Sequence, residues 1–131
     1  LKIVNGTCKK TKQKNYLSTY YGKRKPKDGL INWNFKSKKI YNLIRGVTKP
    51  YPGAFTYLNG KKLIIWRAKL PKKKIFNLKR KTGSFFLEDE AFKVKTSDGI
   101  LKILEFEYEK ITYNIYGKKK IPIKKGVFLN K

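Results

Sequence analysis

The feature that most constrains the fold is Asn59-Gly60, which lies between two apolar runs at 54–58 and 62–70. An Asn-Gly pair flanked in this way is the strongest short signal for a two-residue β-hairpin, because both turn positions need a left-handed backbone. Asp98-Gly99 separates the alternating run 92–96 from the apolar run 100–107 in a similar way. The sequence therefore predicts two hairpins, with these two dipeptides at their tips.

One amphipathic helix is predicted between about Phe35 and Arg45. Its apolar face recurs at the i, i+3, i+4, i+7 spacing, at Ile40, Leu43, Ile44 and Val47. Asn34 or Ser37 is expected to cap its start by accepting a backbone N–H bond. Gly46 is expected to end it, and Lys49-Pro50 prevents its continuation.

Further short strands are predicted at 84–87, 111–116, 121–123 and 127–129, with turns at regular intervals. The eight short runs, counted as six or seven strands, together with one helix indicate a mainly β fold, either a small barrel or a closed, curled sheet. Residues 1–30 contain basic, polar stretches and turn residues, and we expect an extended basic arm there. Residues 31–131 then form the single folded domain that a chain of 131 residues predicts.

Charge is distributed unevenly along the chain. The sequence has 34 Lys and Arg against 8 Asp and Glu, a net charge of +26. Residues 1–87 hold 24 of the basic residues and one acid, Asp28. Such an excess favours a polyanionic partner, nucleic acid above all. A lysine-rich background composition and an anionic membrane are the alternatives, but the chain lacks both a long basic amphipathic helix and an apolar run of about 18 residues.

Residues suited to catalysis are scarce. The chain has no histidine, and no phosphate-binding loop or Cys/His metal motif is present. Glu88, Asp89 and Glu90 are consecutive and are expected to form a solvated turn. Cys8 is the single cysteine and cannot form an intrachain disulfide, which predicts an intracellular protein, in the cytoplasm or, if processed, in an organelle matrix. Trp33 and Trp66 have rings that could stack on bases, although core packing is the stronger interpretation for Trp66.

Two long stretches resemble the C-terminal domain of 10-formyltetrahydrofolate-dependent formyltransferases, the family that includes methionyl-tRNA formyltransferase and amino-sugar N-formyltransferases. They are IYNLIRGVTKPYPGAFTYLNGKKLIIWRA at 40–68 and TYYGKRKPKDGLINW at 19–33. FKVKTSDGILKILEFE at 92–107 is similar to a hairpin of the family, and KKGVFL at 124–129 is a weaker match. Asn32 stands where the family often has an aspartate before the tryptophan.

The resemblance implies an OB-like six-stranded barrel with one α-helix at its entrance. It also implies that the catalytic Asn, His and Asp and the folate site belong to a separate domain. We therefore expect a non-catalytic chain that carries no cofactor itself, with 10-formyltetrahydrofolate bound by the separate domain if one exists. The charge favours binding of structured RNA, a tRNA acceptor arm or rRNA, through phosphates, with a ribonucleoprotein component as one form of this hypothesis. The alternative is an accessory domain that packs against an amino-sugar formyltransferase catalytic domain.

Most of the predicted RNA contacts are cations in the arm, at the tip of the first hairpin and in the loop before Ser84, and two more, Arg45 and Arg67, lie in the predicted helix and strand. Lysines and arginines in such segments bind phosphates and carry no base information. For two of them, Arg45 and Arg67, a structural ion pair, for example with Asp28, is an equally good interpretation. The full set is Lys23, Arg24, Lys25, Lys27, Arg45, Lys61, Lys62, Arg67, Lys72, Lys73, Lys74, Lys79, Arg80 and Lys81.

Overall fold

The computed structural model describes residues 3–71, 79–88 and 91–115 and the backbone of 127–128. These residues form one helix and seven strands. The elements are α1 Ser37–Gly46, β1 Ala54–Leu58, β2 Lys61–Lys69, β3 Ser84–Glu88, β4 Ala91–Thr96, β5 Gly99–Tyr108, β6 Ile111–Asn114 and β7 Val127–Phe128. Short 3-10 turns occupy Asn15–Leu17 and Pro26–Gly29. The mainly β class with one helix is confirmed. The strand predicted at 121–123 lies outside the described residues.

All seven strands belong to one antiparallel sheet. Six of them follow the order β1-β2-β5-β4-β3-β7, and β6 lies off this path and pairs with β5. Strand β5 is long enough to pair with β2 on one edge and with both β4 and β6 on the other. Within the described residues no pairing joins β1 to β7. Closure of the sheet into an OB-like barrel therefore stays a prediction.

Both predicted hairpins are present. Asn59 and Gly60 have φ values of 51° and 73°, and Leu58 pairs with Lys61 around them. In the second hairpin Thr96 pairs with Gly99, so the tip is Ser97-Asp98, one residue earlier than predicted. A third two-residue turn, at 109–110, joins β5 to β6 without any glycine. Nothing in its sequence marked it as a turn.

The helix and the segment before it cover the inner face of the sheet. Ile31, Trp33, Ile40 and Ile44 are buried in one cluster with apolar side chains of β2, β4 and β5. Aromatic rings continue this core, with Phe85 stacked on Phe92 at 4.9 Å between ring centroids. The core fixes the orientation of α1, because the apolar face of the helix packs against the sheet.

The segment that leads into the domain is held by backbone contacts. The Ile31 N–H donates to the Phe55 carbonyl at 2.8 Å. Gly29 is buried, and a Cβ added there would lie 2.7 Å from the Gly53 carbonyl oxygen, so only glycine fits without a shift. The Gly53 N–H donates to the Val47 carbonyl at 2.9 Å. These contacts place the 3-10 turn at 26–29 beside the corner that joins α1 to β1.

The arm has a different environment. Every described residue from Ile3 to Asp28 is exposed except Ser18, which is half-buried. The boundary between an arm at 1–30 and a domain at 31–131 stays a prediction. The polypeptide first becomes buried at Gly29.

Candidate interaction surface

A continuous groove runs between the 3-10 turn, the outer side of α1 and the corner before β1. It consists of two open cavities of about 490 and 560 Å³ that share Arg24, Asp28, Gly46 and Val47. The first extends along α1 to Phe35 and the second extends to Tyr51. We call this feature the entry groove, because the chain enters the domain along it.

Apolar side chains of the entry groove are open to solvent. Leu30 is 48% exposed, Phe35 is 41% exposed and Tyr51 is 63% exposed. Leu43 and Val47 are half-buried on the same lining. Large side chains this exposed, contiguous and edged by polar groups are typical of an interaction site, whereas single exposed apolar residues are ordinary.

The rim of the entry groove is basic. Lys23, Arg24 and Lys25 contribute from the arm, and Lys39 contributes from α1. The Lys39 Nζ lies 3.6 Å from the centroid of the Phe35 ring, a cation–π contact. Asp28 is the one acid on the lining, and its Oδ2 accepts a 2.7 Å bond from the Lys25 backbone N–H.

Four predicted contacts, Lys23, Arg24, Lys25 and Lys27, lie on this exposed stretch of the arm. The first three line the groove, and Lys27 lies on the 3-10 turn. Sequence reasoning missed Lys39. In the helix predicted from about Phe35 to Arg45, Lys39 follows Phe35 by four residues, and positions i and i+4 of a helix lie on one face. That spacing was the available signal.

Asp28 has a backbone partner and forms no ion pair with Arg45 or Arg67 in the described residues. Arg45 donates from Nε to Asn42 at 3.2 Å, and its guanidinium lies 5.9 Å from the Tyr41 ring centroid. Arg67 is exposed on β2 opposite Glu105. The suggested pairing of either arginine with Asp28 is therefore not seen.

The predicted contacts on the first hairpin are more strongly engaged. Lys61 forms an ion pair with Glu109 of the β5–β6 turn. The hydrogen bond to this carboxylate, and then its charge, raise the pKa of Lys61. Lys62 places its Nζ 4.4 Å from the centroid of the Phe55 ring. The hairpin tip is therefore neutralised in part by the chain itself.

The last predicted contacts lie near Ser84. Lys79, Arg80 and Lys81 are exposed, and the Arg80 guanidinium lies 4.2 Å from the Phe86 ring centroid. The Ser84 hydroxyl donates to the Lys81 carbonyl at 2.6 Å and holds this end of the loop. Lys72, Lys73 and Lys74 lie outside the described residues. The predicted contacts among the described residues thus come from four separate segments, the arm, α1, the first hairpin with its strand β2, and 79–81. RNA contact by any of them stays a prediction.

The described glutamates have partners within the chain. Glu88 pairs with Lys93 at 2.8 Å, and Glu105 lies 3.9 Å from Lys49. Glu107 accepts a 3.3 Å bond from the Trp66 indole. With the Lys61–Glu109 pair, each described glutamate of β3, β5 and the β5–β6 turn therefore has a partner within the chain. Of the ion pairs in the described part of the chain, none involves a cation of the entry groove.

Both tryptophans serve the fold. Trp33 is 3% exposed and donates its indole N–H to the Thr56 hydroxyl at 3.2 Å. Trp66 is 9% exposed, and the Lys49 Nζ lies 4.9 Å from its ring centroid. Core packing of Trp66 is confirmed, and neither ring presents a free face for a base.

A polar cluster ties the start of α1 to the β4–β5 turn. The Ser37 backbone N–H and hydroxyl donate to the Asp98 Oδ1 at 2.7 and 2.9 Å, and the Ser37 and Thr96 hydroxyl oxygens lie 2.6 Å apart. Burial opposes ionisation of Asp98, but the bonds from Ser37 and Thr96 outweigh it and hold the pKa of this carboxyl below its ordinary value. Neither Asn34 nor Ser37 caps the start of α1 with its side chain. The carboxylate of Asp98, on a distant hairpin, accepts the backbone N–H bond there instead.

The described residues contain no group of three acidic, cysteine or histidine side chains arranged to hold a metal ion. No helix among them is long and apolar enough to cross a bilayer. The exposed apolar side chains and the basic lining of the entry groove make it the candidate interaction surface in the described part of the chain.

Comparison with known proteins identifies the family. The sequence model described as "Formyl transferase, C-terminal domain" matches residues 23–124. The chain belongs to the formyltransferase C-terminal domain family. This match confirms the resemblance drawn from the sequence, and it starts at Lys23, at the edge of the entry groove.

The relatives are much longer than this chain. It is 61% identical over 54 residues to the bifunctional polymyxin resistance protein ArnA of Wigglesworthia glossinidia brevipalpis, a match that covers 41% of this chain and 8% of ArnA. Solved structures of HypX from Aquifex aeolicus share the fold. One variant gives a TM-score of 0.54 at 22% identity over 93% of this chain and 23% of HypX. HypX in complex with tetrahydrofolic acid gives 0.52 at 24% identity over 86% of this chain and 20% of HypX.

Proposed function

We propose that this domain is the accessory C-terminal domain of a formyltransferase, and that it binds a catalytic domain rather than performing catalysis. The family match over 23–124 carries the proposal. The matched region is a small share of the ArnA and HypX chains, which leaves room in them for a separate catalytic domain. The 61% identity to ArnA over 54 residues favours the accessory-domain alternative over the RNA-binding one.

Two measurements test the accessory role. The catalytic domain of the Wigglesworthia relative, ending before the region that this chain matches, serves as the probe. Sedimentation velocity of the mixture is expected to show a one-to-one complex, and two independent boundaries at all concentrations would contradict the proposal. The chain alone is expected neither to bind 10-formyltetrahydrofolate nor to formylate an amine, and turnover above the buffer rate would contradict its non-catalytic role.

A second candidate function is RNA binding through phosphates, with structured RNA such as tRNA or rRNA as the partner. The net charge of +26 favours it, as do arm cations without ion-pair partners in the described residues. A protein that neutralises roughly 6–8 duplex phosphates shows a slope of about −5 to −7 in log K against log salt. Filter binding of a tRNA-like stem at several salt concentrations measures this slope, and a flat response would exclude phosphate neutralisation as the source of affinity.

A further inference from the structure

We infer that the entry groove is the docking surface for the catalytic domain, and that the catalytic domain fills it with apolar side chains surrounded by acidic ones. This inference rests on the proposed accessory function. It assigns the interaction to one face of the domain and specifies the chemistry of the opposing surface.

The apolar part of the argument comes from where the exposed side chains lie. Leu30, Phe35 and Tyr51 belong to one groove, so a single partner can cover all three at once. Leu87 and Ile111 are similarly exposed, at 45% and 43%, but they lie on β3 and β6, away from the groove lining. Burial of large apolar side chains at the centre of a contact supplies most of the affinity of typical interfaces.

The charge of the rim specifies the partner. Lys23, Arg24, Lys25 and Lys39 surround the apolar lining, and none of them has an ion-pair partner in the described residues. Asp28 has its carboxylate directed to the Lys25 backbone N–H. An opposing surface with acidic groups at its rim would complement these cations, and this complementarity would speed association and fix the relative orientation of the two domains.

The path of the chain gives a third argument. The family match begins at Lys23, and Lys23 lies on the groove lining. A domain joined to the chain upstream of this point is therefore tethered beside the groove. Tethering raises the effective concentration of such a domain and reduces the intrinsic affinity that the interface must supply.

The test uses the full 131-residue chain and the Wigglesworthia catalytic domain defined above, with the dissociation constant measured by isothermal titration calorimetry. Two double variants of the groove are compared with the parent chain. One carries Leu30→Gln and Phe35→Gln, and the other carries Arg24→Glu and Lys39→Glu. Loss of central apolar anchors is expected to weaken binding by about 30-fold, the size typical of interface hot spots. Charge reversal at the rim is expected to weaken binding by about 10-fold at low salt and by less at high salt.

Matched control variants change equally exposed residues elsewhere. The control for the apolar variant carries Leu87→Gln and Ile111→Gln. The control for the charge variant carries Lys79→Glu and Lys81→Glu. Both controls are expected to bind within about two-fold of the parent, because surface residues outside an interface contribute little to its affinity. Circular dichroism and urea unfolding of each variant separate loss of binding from loss of fold.

The possible results separate the two proposals. If the parent chain does not bind the catalytic domain, the accessory function fails and the docking inference fails with it. If the parent binds and folded groove variants bind equally well, the accessory function stands and the groove is the wrong surface. If only the control variants lose affinity, the docking surface lies on the β3, β6 or 79–81 side of the domain.

Discussion

The entry groove and the hairpin end of the sheet contain similar residues in different arrangements. At the hairpin end, Lys61 forms an ion pair with Glu109, whereas the contact of Lys62 with the Phe55 ring has a counterpart in the groove, where Lys39 contacts the Phe35 ring. At the groove, the cations have no acidic partner in the described residues, and three large apolar side chains remain exposed. Lysine content alone therefore does not identify a binding surface in this protein. The informative properties are whether the chain pairs its own charges and whether its exposed apolar side chains lie together on one lining, as Leu30, Phe35 and Tyr51 do and Tyr57 and Ile111 do not.

Glycine substitutions give the largest expected contrast in stability. Gly53, on the groove lining, has φ of 84°, and a Cβ there would lie 2.4 Å from Ile64 Cγ2 and 2.9 Å from Trp66 Cζ3. Gly60, at the hairpin tip, has φ of 73° and open space around it. We expect Gly53→Ala to lower the free energy of unfolding by about 3 kcal/mol, because strain and overpacking add, and Gly60→Ala by about 1 kcal/mol. Equal losses in urea unfolding would contradict this account of the corner.

Charge reversal sharpens the functional side of the comparison. Arg24→Glu at the groove is expected to weaken binding of the catalytic domain by about 5-fold, since one favourable rim charge becomes repulsive. Lys62→Glu at the hairpin end serves as the counterpart and is expected to leave the dissociation constant within about two-fold. Calorimetric titration of both variants at two salt concentrations measures the difference, and a larger effect of Lys62→Glu would reverse the assignment of the two regions.

The Asp98 cluster tests how firmly α1, one wall of the groove, is held. Asp98→Ala removes the acceptor for two Ser37 bonds, and we expect the free energy of unfolding to fall by about 2 kcal/mol. Because the pKa of Asp98 is lowered in the folded protein, its contribution is present above the ordinary carboxyl pKa and is lost as pH falls through the folded value. Urea unfolding between pH 7 and pH 2 is therefore expected to show a smaller acid-induced loss in the variant than in the parent.

The smallest effect is expected at the Lys61–Glu109 ion pair, whose two side chains are 60% and 45% exposed. Exposed pairs are screened by solvent and add little to stability. Glu109→Gln should leave the urea midpoint unchanged within error at neutral pH. The pKa of Lys61 is raised in the folded protein, so any contribution of the pair to the free energy of unfolding is lost only as pH rises through this raised pKa. A large midpoint shift at pH 7 would show that the hairpin end depends on this pair.

Local signals predicted the elements of the fold well. The helical spacing around Ile40 and the Asn59-Gly60 pair both mark the observed elements, because each depends on residues close in sequence. The cap from Asp98 was not predictable, since it joins groups 61 residues apart. The turn at 109–110 was missed because neither residue is a glycine or another usual turn former.

The candidate site was predicted in part. Lys23, Arg24 and Lys25 were selected for their charge, and they do line the groove. Lys61 was selected by the same reasoning, but its partner Glu109 arrives from a distant turn. Leu30 and Phe35 are not among the predicted contacts, because exposure is a property of the folded surface. Charge along a sequence thus locates cations, and tertiary contacts decide which of them remain available.

The most direct test of the central claim is an NMR titration of the ¹⁵N-labelled chain with the unlabelled catalytic domain of the Wigglesworthia relative. The account predicts that the largest changes in amide signals fall at residues 23–30 and 48–53 and on the exposed side of α1. Signals of residues 59–62 and 109–112 at the hairpin end should change little. The largest changes at the hairpin end, with the groove signals unaffected, would contradict the claim that the entry groove is the interaction surface.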